Sequence, residues 1–389
     1  MIAEELIDFE KRIEKLYREA KIRGPVHLSG GNEKQLIDIF KEIKKEDWVF
    51  SNYRNHYHAL LKGIPKKWLE EEIKKGNSIH IMNKEYKFFS SSIVPGQLPI
   101  ALGVALGLKL KNASSRVWAF CGDMAAETGT FHEVTKYAIN HNLPINFVVE
   151  DNGLSVYTPT REVWGINSKE MIPGFVSLKN NVNKKIRRYK YKRSWPHHGI
   201  GMWVEFPEEK KEKRWMYRDE LKRAMNILAK NEKVIFLGQT VKYKGSALYQ
   251  TLEDIVDEKK IELPIMEDVQ MGMSIGLSLE GFIPVSIYPR FDFLILATNQ
   301  MVNHLDKIRE LSSGQFDPKV IIRTAVGSKI PLNPGPQHCQ DYTEAYRIML
   351  KNVDIIRLDN YQRIVSAYLK ALESNKSSLL VEIGDLYSS

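Results

Sequence analysis

Cysteine is nearly absent from this sequence. Only two occur among 389 residues, Cys121 and Cys339, which is too few for a disulfide framework. Long hydrophobic runs are missing as well. The longest candidate, residues 98–110, contains two glycines and a lysine and is too short to span a bilayer. Residues 98–108 instead predict a buried helix. The N-terminus is acidic and amphipathic, unlike a signal peptide. These absences predict a cytoplasmic protein with no membrane association.

The chain does contain enough apolar residues for full cores. Hydrophobic residues make up 43% of its length, and that length predicts two or three domains of ordinary size. The formal net charge of +9 is uneven, because residues 184–193 (KKIRRYKYKR) are strongly basic with two interleaved tyrosines. Such a run can bind nucleic acid, a phosphorylated substrate or an acidic partner. A solvated surface segment is the simpler interpretation, so we do not expect a nucleic-acid partner.

The most informative stretch is residues 116–158. Two apolar runs, residues 116–121 and 145–149, flank a segment whose hydrophobic residues recur at helical spacing. This spacing predicts two parallel strands joined by a helix, so both strands end at the same edge of a sheet, where open α/β sheets bind ligands. Asp123 follows the first run and Asn152 follows the second. Their side-chain oxygens are hard donors that suit Mg²⁺ or Ca²⁺ carried on a phosphate group.

This stretch also resembles a known cofactor motif. The pair Gly122–Asp123, then a helix, a strand and Asn152, resembles the motif that binds thiamin diphosphate. Further matches at Glu127 and Leu143–Pro144 resemble the alpha subunit of the decarboxylating component of 2-oxo acid dehydrogenase complexes. An ordinary βαβ unit with a polar rim is the alternative interpretation.

The resemblance implies roles for the residues around both strand ends. Asp123, Asn152 and the carbonyl of Leu154 would bind Mg²⁺. Met124 stands where the family has a second glycine, and it can donate its N–H to the diphosphate if its φ is negative. The backbone expected to approach the diphosphate is that of Gly122, Asp123, Met124 and Ala125.

Three earlier segments resemble the same subunit. Arg54, preceded by Tyr53, is the implied diphosphate ligand, because a guanidinium binds phosphate through two parallel N–H groups. His56 matches an active-site histidine, and His80 lies in a Ser-Ile-His sequence that resembles another histidine near the cofactor. Val94 lies in a loop that, in the family, lends backbone groups to the aminopyrimidine ring.

Residues 155–205 depart from the family. The His-x-His spacing of its active-site loop is absent, which leaves the acceptor open, including whether a lipoyl carrier is used. His197 or His198 is a candidate to replace the loop histidine, and a surface histidine pair is the alternative.

The second half of the chain resembles the beta subunit of the same complexes. Glu267 follows Leu-Pro-Ile-Met and matches the family's catalytic glutamate. A carboxyl group that is hydrogen-bonded to a nitrogen of the pyrimidine ring helps thiamin lose its thiazolium proton. Burial should raise the pKa of that carboxyl group. Phe291 and Phe293 resemble a Phe-x-Phe pair of which one ring stacks on the pyrimidine. His338 matches a substrate-facing histidine and is a proton-transfer candidate.

We therefore predict an α/β fold of two doubly wound parallel-sheet domains, fused alpha-like then beta-like. Residues 1–205 are the expected diphosphate- and metal-binding domain, and residues 206–389 the expected pyrimidine-binding domain. The resemblance stops before the family's third domain, which we expect to be missing. The implied cofactors are thiamin diphosphate and Mg²⁺, and the implied catalytic residues are Glu267, His338, His56 and His80.

The predicted activity is decarboxylation of a 2-oxo acid with transfer of the acyl unit to an acceptor. The predicted assembly is a homodimer with active sites at its interface. A ketose or other sugar substrate, used in transketolase-like two-carbon transfer or in acyl ligation, fits the same residues. A binding protein that has lost catalysis is a further alternative.

Overall fold

The computed structural model describes residues 1–165, 185–200, 204, 216–244, 247–330 and 332–388. The chain divides into two compact units, Met1–Glu209 and Lys210–Ser389. The predicted boundary between residues 205 and 206 lies outside the described residues. The predicted mixed α/β class with parallel sheets is confirmed. Of the helices in the described ranges, none has the length and apolar character needed to cross a lipid bilayer.

The first unit alternates strands with helices. Its described strands are β1 (Trp48–Ser51), β2 (Met82–Asn83), β3 (Phe88–Ser90), β4 (Val117–Gly122), β5 (Ile145–Asp151), β6 (Leu154–Ser155), β7 (Thr158–Pro159) and β8 (Ile186–Lys190). Its described helices are α1 (Ala3–Arg18), α2 (Glu33–Phe40), α3 (His56–Leu61), α4 (Lys66–Lys74), α5 (Gln97–Leu110), α6 (Gly129–Asn140) and α7 (Thr160–Val163).

Six of these strands form one sheet in the order β2-β3-β1-β4-β5-β8. All neighbours pair in parallel except β2 and β3. Side chains of β4 alternate between two hydrophobic clusters: Trp118 and Phe120 pack in the cluster that contains α1 to α4, whereas Val117, Ala119 and Cys121 pack in the cluster of α5 and α6. Because strand side chains alternate between faces, helices cover both faces, as a parallel sheet requires.

The helix α5 departs from the expectation of burial. Ile100, within the predicted helix, is 47% exposed. Hydrophobic residues lie on every side of this helix, so its sequence does not reveal which side stays open.

The second unit repeats this architecture. Its described strands are β9 (Val234–Gly238), β10 (Lys260–Glu262), β11 (Ile283–Tyr288), β12 (Ile321–Val326), β13 (Val353–Leu358) and β14 (Ser377–Ile383). Its described helices are α8 (Met216–Ala229), α9 (Ala247–Gln250), α10 (Glu267–Leu279), α11 (Phe291–Leu294), α12 (Ile308–Leu311), α13 (Thr343–Met349) and α14 (Ile364–Glu373), with a π-helical segment at Gln300–Leu305. The sheet order is β10-β9-β11-β12-β14-β13, and all pairs are parallel.

A buried ion pair crosses the second sheet. Arg323 of β12 and Glu382 of β14 are both 0% exposed, and Arg323 Nε lies 2.6 Å from Glu382 Oε1. Tyr368 donates to the same oxygen at 2.6 Å and Tyr387 donates to Oε2, while Thr251 Oγ1 accepts from Arg323 at 2.9 Å. Each buried charge thus has a complement of hydrogen bonds, which a buried ion pair needs if it is not to destabilise the fold.

Candidate active site

The predicted metal ligands follow neighbouring parallel strands. Asp123 comes directly after β4 and Asn152 directly after β5, with Gly122 opposite Glu150 in the register. Both ligands therefore leave the sheet at its carboxyl edge, the position at which such sheets bind ligands. Leu154, the third predicted ligand, begins the short hairpin of β6 and β7.

Asp123 is a buried carboxyl group. It is 1% exposed, and its Oδ2 accepts a hydrogen bond from Thr160 Oγ1 at 2.5 Å. Burial raises the pKa of Asp123 to about 6, and nearby Asp151 contributes to the rise. Within the described ranges, Asp123 forms no ion pair. A divalent cation would favour the charged carboxylate at this position.

Two further acids share one arginine beside Asp123. Arg188 donates from Nε to Asp151 Oδ2 at 3.0 Å and from a terminal nitrogen to Glu127 Oε1 at 3.3 Å. Burial raises the pKa of Glu127 to about 7. Three carboxyl groups therefore surround one guanidinium, and this excess of negative charge fits a bound cation.

The amide of Asn152 has a fixed orientation. Its Nδ2 donates to the hydroxyl of Tyr191 at 3.0 Å, and its Oδ1 accepts from the N–H of Leu154 at 3.0 Å. Gly153 between them has a φ of 73°, a left-handed conformation that glycine adopts without strain. In the described ranges no cluster of three or more His, Cys, Asp or Glu side chains is arranged to hold a metal. The predicted ligands are instead a carboxylate, an amide and a backbone carbonyl, which suit Mg²⁺.

The turn after β4 has room for a phosphate. Met124 has a φ of −65°. This negative value is the one that we required for its N–H to be able to donate to a diphosphate. A Cβ added to Gly122 would find no atom within 4 Å, so the strand end is open. Ala125 begins a single helical turn, Ala125–Glu127.

Two guanidinium groups lie close together without an acidic partner among the described residues. Arg54 is 8% exposed and donates to the carbonyl oxygens of Leu28 and His197. Arg193 donates to the carbonyl of Val156 at 3.4 Å. Burial and the charge of Arg54 lower the pKa of Arg193. Buried like charges of this kind favour a bound anion.

Tyr53 links this basic pair to the acidic strand end. Burial raises the pKa of its hydroxyl, which also responds to the charges of Arg54, Arg193 and Asp123. Its ring lies 4.6 Å from the ring of His27. Basic and acidic side chains are therefore neighbours at one edge of the first sheet, an arrangement that would suit a diphosphate with its metal.

The two late histidines are not a surface pair. His197 lies 4.6 Å from His27 between ring centroids, and its carbonyl meets Nδ1 of His27 at 2.7 Å. Tyr157 Oη lies 3.4 Å from Nδ1 of His198. Burial lowers the pKa of both late histidines, and the charge of Arg54 lowers that of His197 further. Both rings are therefore neutral at pH 7.

His56 is placed differently from its implied role. It is 0% exposed in α3, with Nδ1 3.0 Å from Glu10 Oε1 and Nε2 2.9 Å from Ser78 Oγ. Both ring nitrogens are thus occupied inside the unit, and we assign His56 a structural role in place of proton transfer. His80 is half-buried and its Nδ1 lies 3.4 Å from Ser92 Oγ.

Val94 is partly buried against the cluster of α5 and α6. Its predicted contact through backbone groups with the pyrimidine ring stays a prediction.

The basic run is not a solvated segment. Its described part includes β8, which pairs in parallel with β5. Arg187 pairs with Glu42 at 2.6 Å, and Tyr189 donates to Glu150 at 2.7 Å. The partners come from distant parts of the chain, which is why local composition was misleading here.

Sequence reasoning missed four residues around the first-unit site. The alternation of Tyr189 and Tyr191 was a usable signal, because a period of two indicates a strand. No comparable local signal marks the others. The missed residues are His27, Thr160, Tyr191 and Arg193.

In the second unit, Glu267 is the first residue of α10. It is 8% exposed, and burial raises the pKa of its carboxyl group to about 7, the direction that its implied role requires. Gln239 Nε2 donates to Glu267 Oε1 at 3.4 Å, and the Tyr288 hydroxyl donates to the backbone carbonyl of Glu267 at 3.3 Å.

The two phenylalanines have different surroundings. Phe291 is 0% exposed and packs against the rings of Tyr342 and Tyr346 at 5.6 and 5.2 Å, so it is a core residue and not a cofactor contact. Phe293 is partly buried, and its ring lies edge-on to His338 at 5.5 Å. His338 is 8% exposed. Phe293 and His338 therefore form an edge-on aromatic pair outside this core cluster.

Comparison with known proteins shows which family the sequence of the first unit is similar to. Residues 2–171 match the family described as "Dehydrogenase E1 component". The alpha subunit of the acetoin:2,6-dichlorophenolindophenol oxidoreductase of Bacillus subtilis is 32% identical over 165 residues, which are 40% of this chain and 50% of that protein. The alpha subunit of the pyruvate dehydrogenase E1 component of Zymomonas mobilis is 33% identical over 161 residues, 39% of this chain and 46% of that protein.

This chain spans about half the length of the curated relatives it matches. The matched segment contains β4 and β5 together with Asp123 and Asn152. Residues 2–171 of this chain are therefore similar to the family of dehydrogenase E1 components.

Proposed function

We propose that this chain is a thiamin diphosphate-dependent enzyme that decarboxylates a 2-oxo acid and passes the acyl unit to an acceptor. One observation carries the proposal: Asp123 and Asn152 follow two adjacent parallel strands inside the segment that matches the E1 family. The pyruvate dehydrogenase relative supports a 2-oxo acid as substrate.

The first unit would hold the diphosphate and its metal. Asp123, Asn152 and the carbonyl of Leu154 are the proposed Mg²⁺ ligands, and Tyr191 keeps the amide of Asn152 in place. Arg54 is the proposed diphosphate ligand, as its resemblance to the alpha subunit implies. Arg193, whose guanidinium also lacks an acidic partner among the described residues, joins it.

The second unit would supply the acid–base chemistry. When bound, thiamin diphosphate provides an electron sink for the electrons released on C–C cleavage. Glu267, with its pKa raised to about 7, is partly protonated at neutral pH and would donate its proton to a pyrimidine nitrogen. His338 beside Phe293 would move a proton to or from the substrate. His56 takes no part, because both of its ring nitrogens are occupied.

A second candidate function is favoured by the acetoin relative. Acetoin carries a hydroxyl group on the carbon next to its carbonyl, so this name supports cleavage or formation of a C–C bond between two such carbons. The reverse of such a cleavage is ligation of an acyl unit onto an aldehyde; ligation onto a ketone forms the same type of C–C bond, and a ketose substrate also carries a hydroxyl group next to its carbonyl.

The proposed assembly joins alpha-like and beta-like units in one chain and pairs two chains. Both relatives are named as alpha subunits, and this chain carries a second α/β unit after the matched segment. The beta-like role of that unit, including Glu267 as its catalytic residue, is part of the proposal.

A turnover screen tests the proposal. The purified chain is incubated with thiamin diphosphate, Mg²⁺ and single 2-oxo acids, acyloins or ketose phosphates, and products are read by mass spectrometry. We expect CO₂ from a 2-oxo acid, and loss of turnover in Glu267→Gln with cofactor binding kept. Cleavage of an acyloin or ketose phosphate without CO₂ would favour the second candidate. Full activity of Glu267→Gln would reject the role of this residue.

A further inference from the structure

A series of polar contacts in the second unit leads to Glu267. Gln239 follows the last residue of β9, and its Nε2 donates to Glu267 Oε1 at 3.4 Å. Among the described side chains, Gln239 is the donor that reaches this carboxyl group. Glu267 is 8% exposed, so little water reaches this hydrogen bond. In such an environment of low dielectric constant a hydrogen bond has a stronger effect on the carboxyl group.

The loop that begins at Gln239 is fixed by a second carboxylate. Backbone N–H groups of residues 240–242 all donate to the carboxylate of Glu262, at 2.8, 2.8 and 2.9 Å. Thr240 has a φ of 60°, and a left-handed residue lets successive N–H groups converge on one anion. Glu262 ends β10, where it lies opposite Gly238 of β9. Glu262 therefore sets the path of the chain on which Gln239 stands.

The other groups around Glu267 do not replace this donor. The Tyr288 hydroxyl donates to the backbone carbonyl of Glu267 at 3.3 Å, and burial raises the pKa of Tyr288, so it stays neutral. Asp268, the chain neighbour, accepts from two side-chain amides of the segment after α11. No cationic side chain forms an ion pair with Glu267 in the described part of the chain.

We propose that Gln239 is a positioning residue for Glu267 and that Glu262 holds Gln239 in place. An amide N–H on Oε1 makes that oxygen the acceptor, so the proton of the neutral carboxyl group stays on Oε2. A carboxyl group at position 239 would instead compete for the same proton. The proposal rests on the proposed function in one respect, the pyrimidine nitrogen to which Oε2 donates.

The pKa of Glu267 in the cofactor-free full chain is the test. It is read by carboxyl-carbon NMR of isotopically labelled glutamate, and the signal of Glu267 is the one that Glu267→Gln lacks. The N–H of Gln239 favours the charged carboxylate, so Gln239→Leu should raise this pKa by about one unit. In Gln239→Glu the two carboxyl groups should titrate in two coupled steps. Gln315→Leu, at an exposed glutamine of the same unit, is the matched control and should change nothing.

Glu262→Gln tests the second half of the proposal. It should raise the pKa of Glu267 in the same direction by a smaller amount, because three N–H groups lose a charged acceptor. An unchanged pKa in Gln239→Leu together with single-step titration in Gln239→Glu would overturn the proposal, and an unchanged pKa in Glu262→Gln would overturn the role of Glu262.

Turnover with thiamin diphosphate supplies a separate readout. In Gln239→Leu we expect kcat to fall about tenfold with little change in the KM for cofactor. If the wild-type chain turns over none of the substrates, the proposed function fails, whereas the NMR titration still decides the role of Gln239.

Discussion

At the scale of single residues, the hydrogen-bond partners of a buried group distinguish the candidates for chemistry from the residues that serve the fold. Glu267 and His56 were both inferred from family motifs, and both are buried. Glu267 has one neutral hydrogen-bond donor and a raised pKa of about 7, so its carboxyl group gains and loses a proton near neutral pH. His56 has partners on both nitrogens, so its ring serves the fold.

The pKa of Glu267 also leads to a prediction about stability. A carboxyl group with a folded pKa of about 7, above its unfolded value of 4.5, binds a proton more tightly in the folded state. Its contribution is therefore fully present below pH 4.5 and is lost as the pH rises through 7. The neutral variant Glu267→Gln avoids this loss, so above pH 7 its unfolding free energy should exceed that of the wild type by up to about 3 kcal/mol.

Urea unfolding at pH 4.5 and pH 8 measures this difference. The gain should be present at pH 8 and nearly absent at pH 4.5. Glu344→Gln, at an exposed residue of the same unit, is the control. A gain of equal size at both pH values would show that charge at Glu267 is not its cause.

At the scale of elements, β8 holds the largest difference between sequence and structure. Arg188 and Tyr189 of this strand, and Tyr191 just after it, form hydrogen bonds with groups that come from distant strands and loops. The amino-acid composition of this segment does not reveal partners that lie far away in the sequence. For that reason a strand beside Asp123 and Asn152 was interpreted as a basic surface segment.

The apolar strands were predictable for the opposite reason. The runs 116–121 and 145–149 correspond to β4 and β5, and the helix between them is α6, whose Phe131, Val134 and Ala138 are buried. Their periodicity alone specifies the element and its buried face. The positions of Asp123 and Asn152 at the strand ends therefore followed from sequence, whereas the contacts of Tyr191 and Arg193 required the three-dimensional structure.

The position of Tyr191 in the segment after β8 gives a second prediction. Tyr191→Phe removes the hydroxyl that holds Nδ2 of Asn152. Partners that orient a metal ligand typically contribute 10- to 100-fold in affinity. We expect Mg²⁺-dependent binding of thiamin diphosphate, measured by calorimetry, to weaken by about tenfold. Tyr137→Phe, at an exposed tyrosine of the same unit, should bind as the wild type does; equal binding by both variants would argue against Asn152 as a ligand.

The pairing of β12 with β14 gives a third prediction. Arg323→Met leaves the fully buried Glu382 without its ion-pair partner, which should lower the unfolding free energy by about 3–5 kcal/mol. Arg347→Met removes an exposed arginine that pairs with Glu344 and should cost less than about 1 kcal/mol. Chemical denaturation compares the two variants, and similar losses for both would contradict the account of the buried network.

At the scale of the whole molecule, each unit has its own sheet with hydrophobic clusters on both faces. A unit with a complete core should fold alone. We expect residues 1–209 and 210–389, expressed separately, each to show a cooperative thermal transition by circular dichroism. A half that lacks such a transition would show that its core is incomplete.

The central proposal is that Asp123 of the first unit is needed to bind thiamin diphosphate and that Glu267 of the second unit is needed for its turnover. The most direct measurement combines cofactor binding with turnover of a 2-oxo acid in three proteins: the wild type, Asp123→Asn and Glu267→Gln. We expect the wild type to release CO₂, Asp123→Asn to lose Mg²⁺-dependent cofactor binding, and Glu267→Gln to bind the cofactor without turnover. Cofactor binding that is absent from the wild type, or that is unaffected by Asp123→Asn, would contradict the claim.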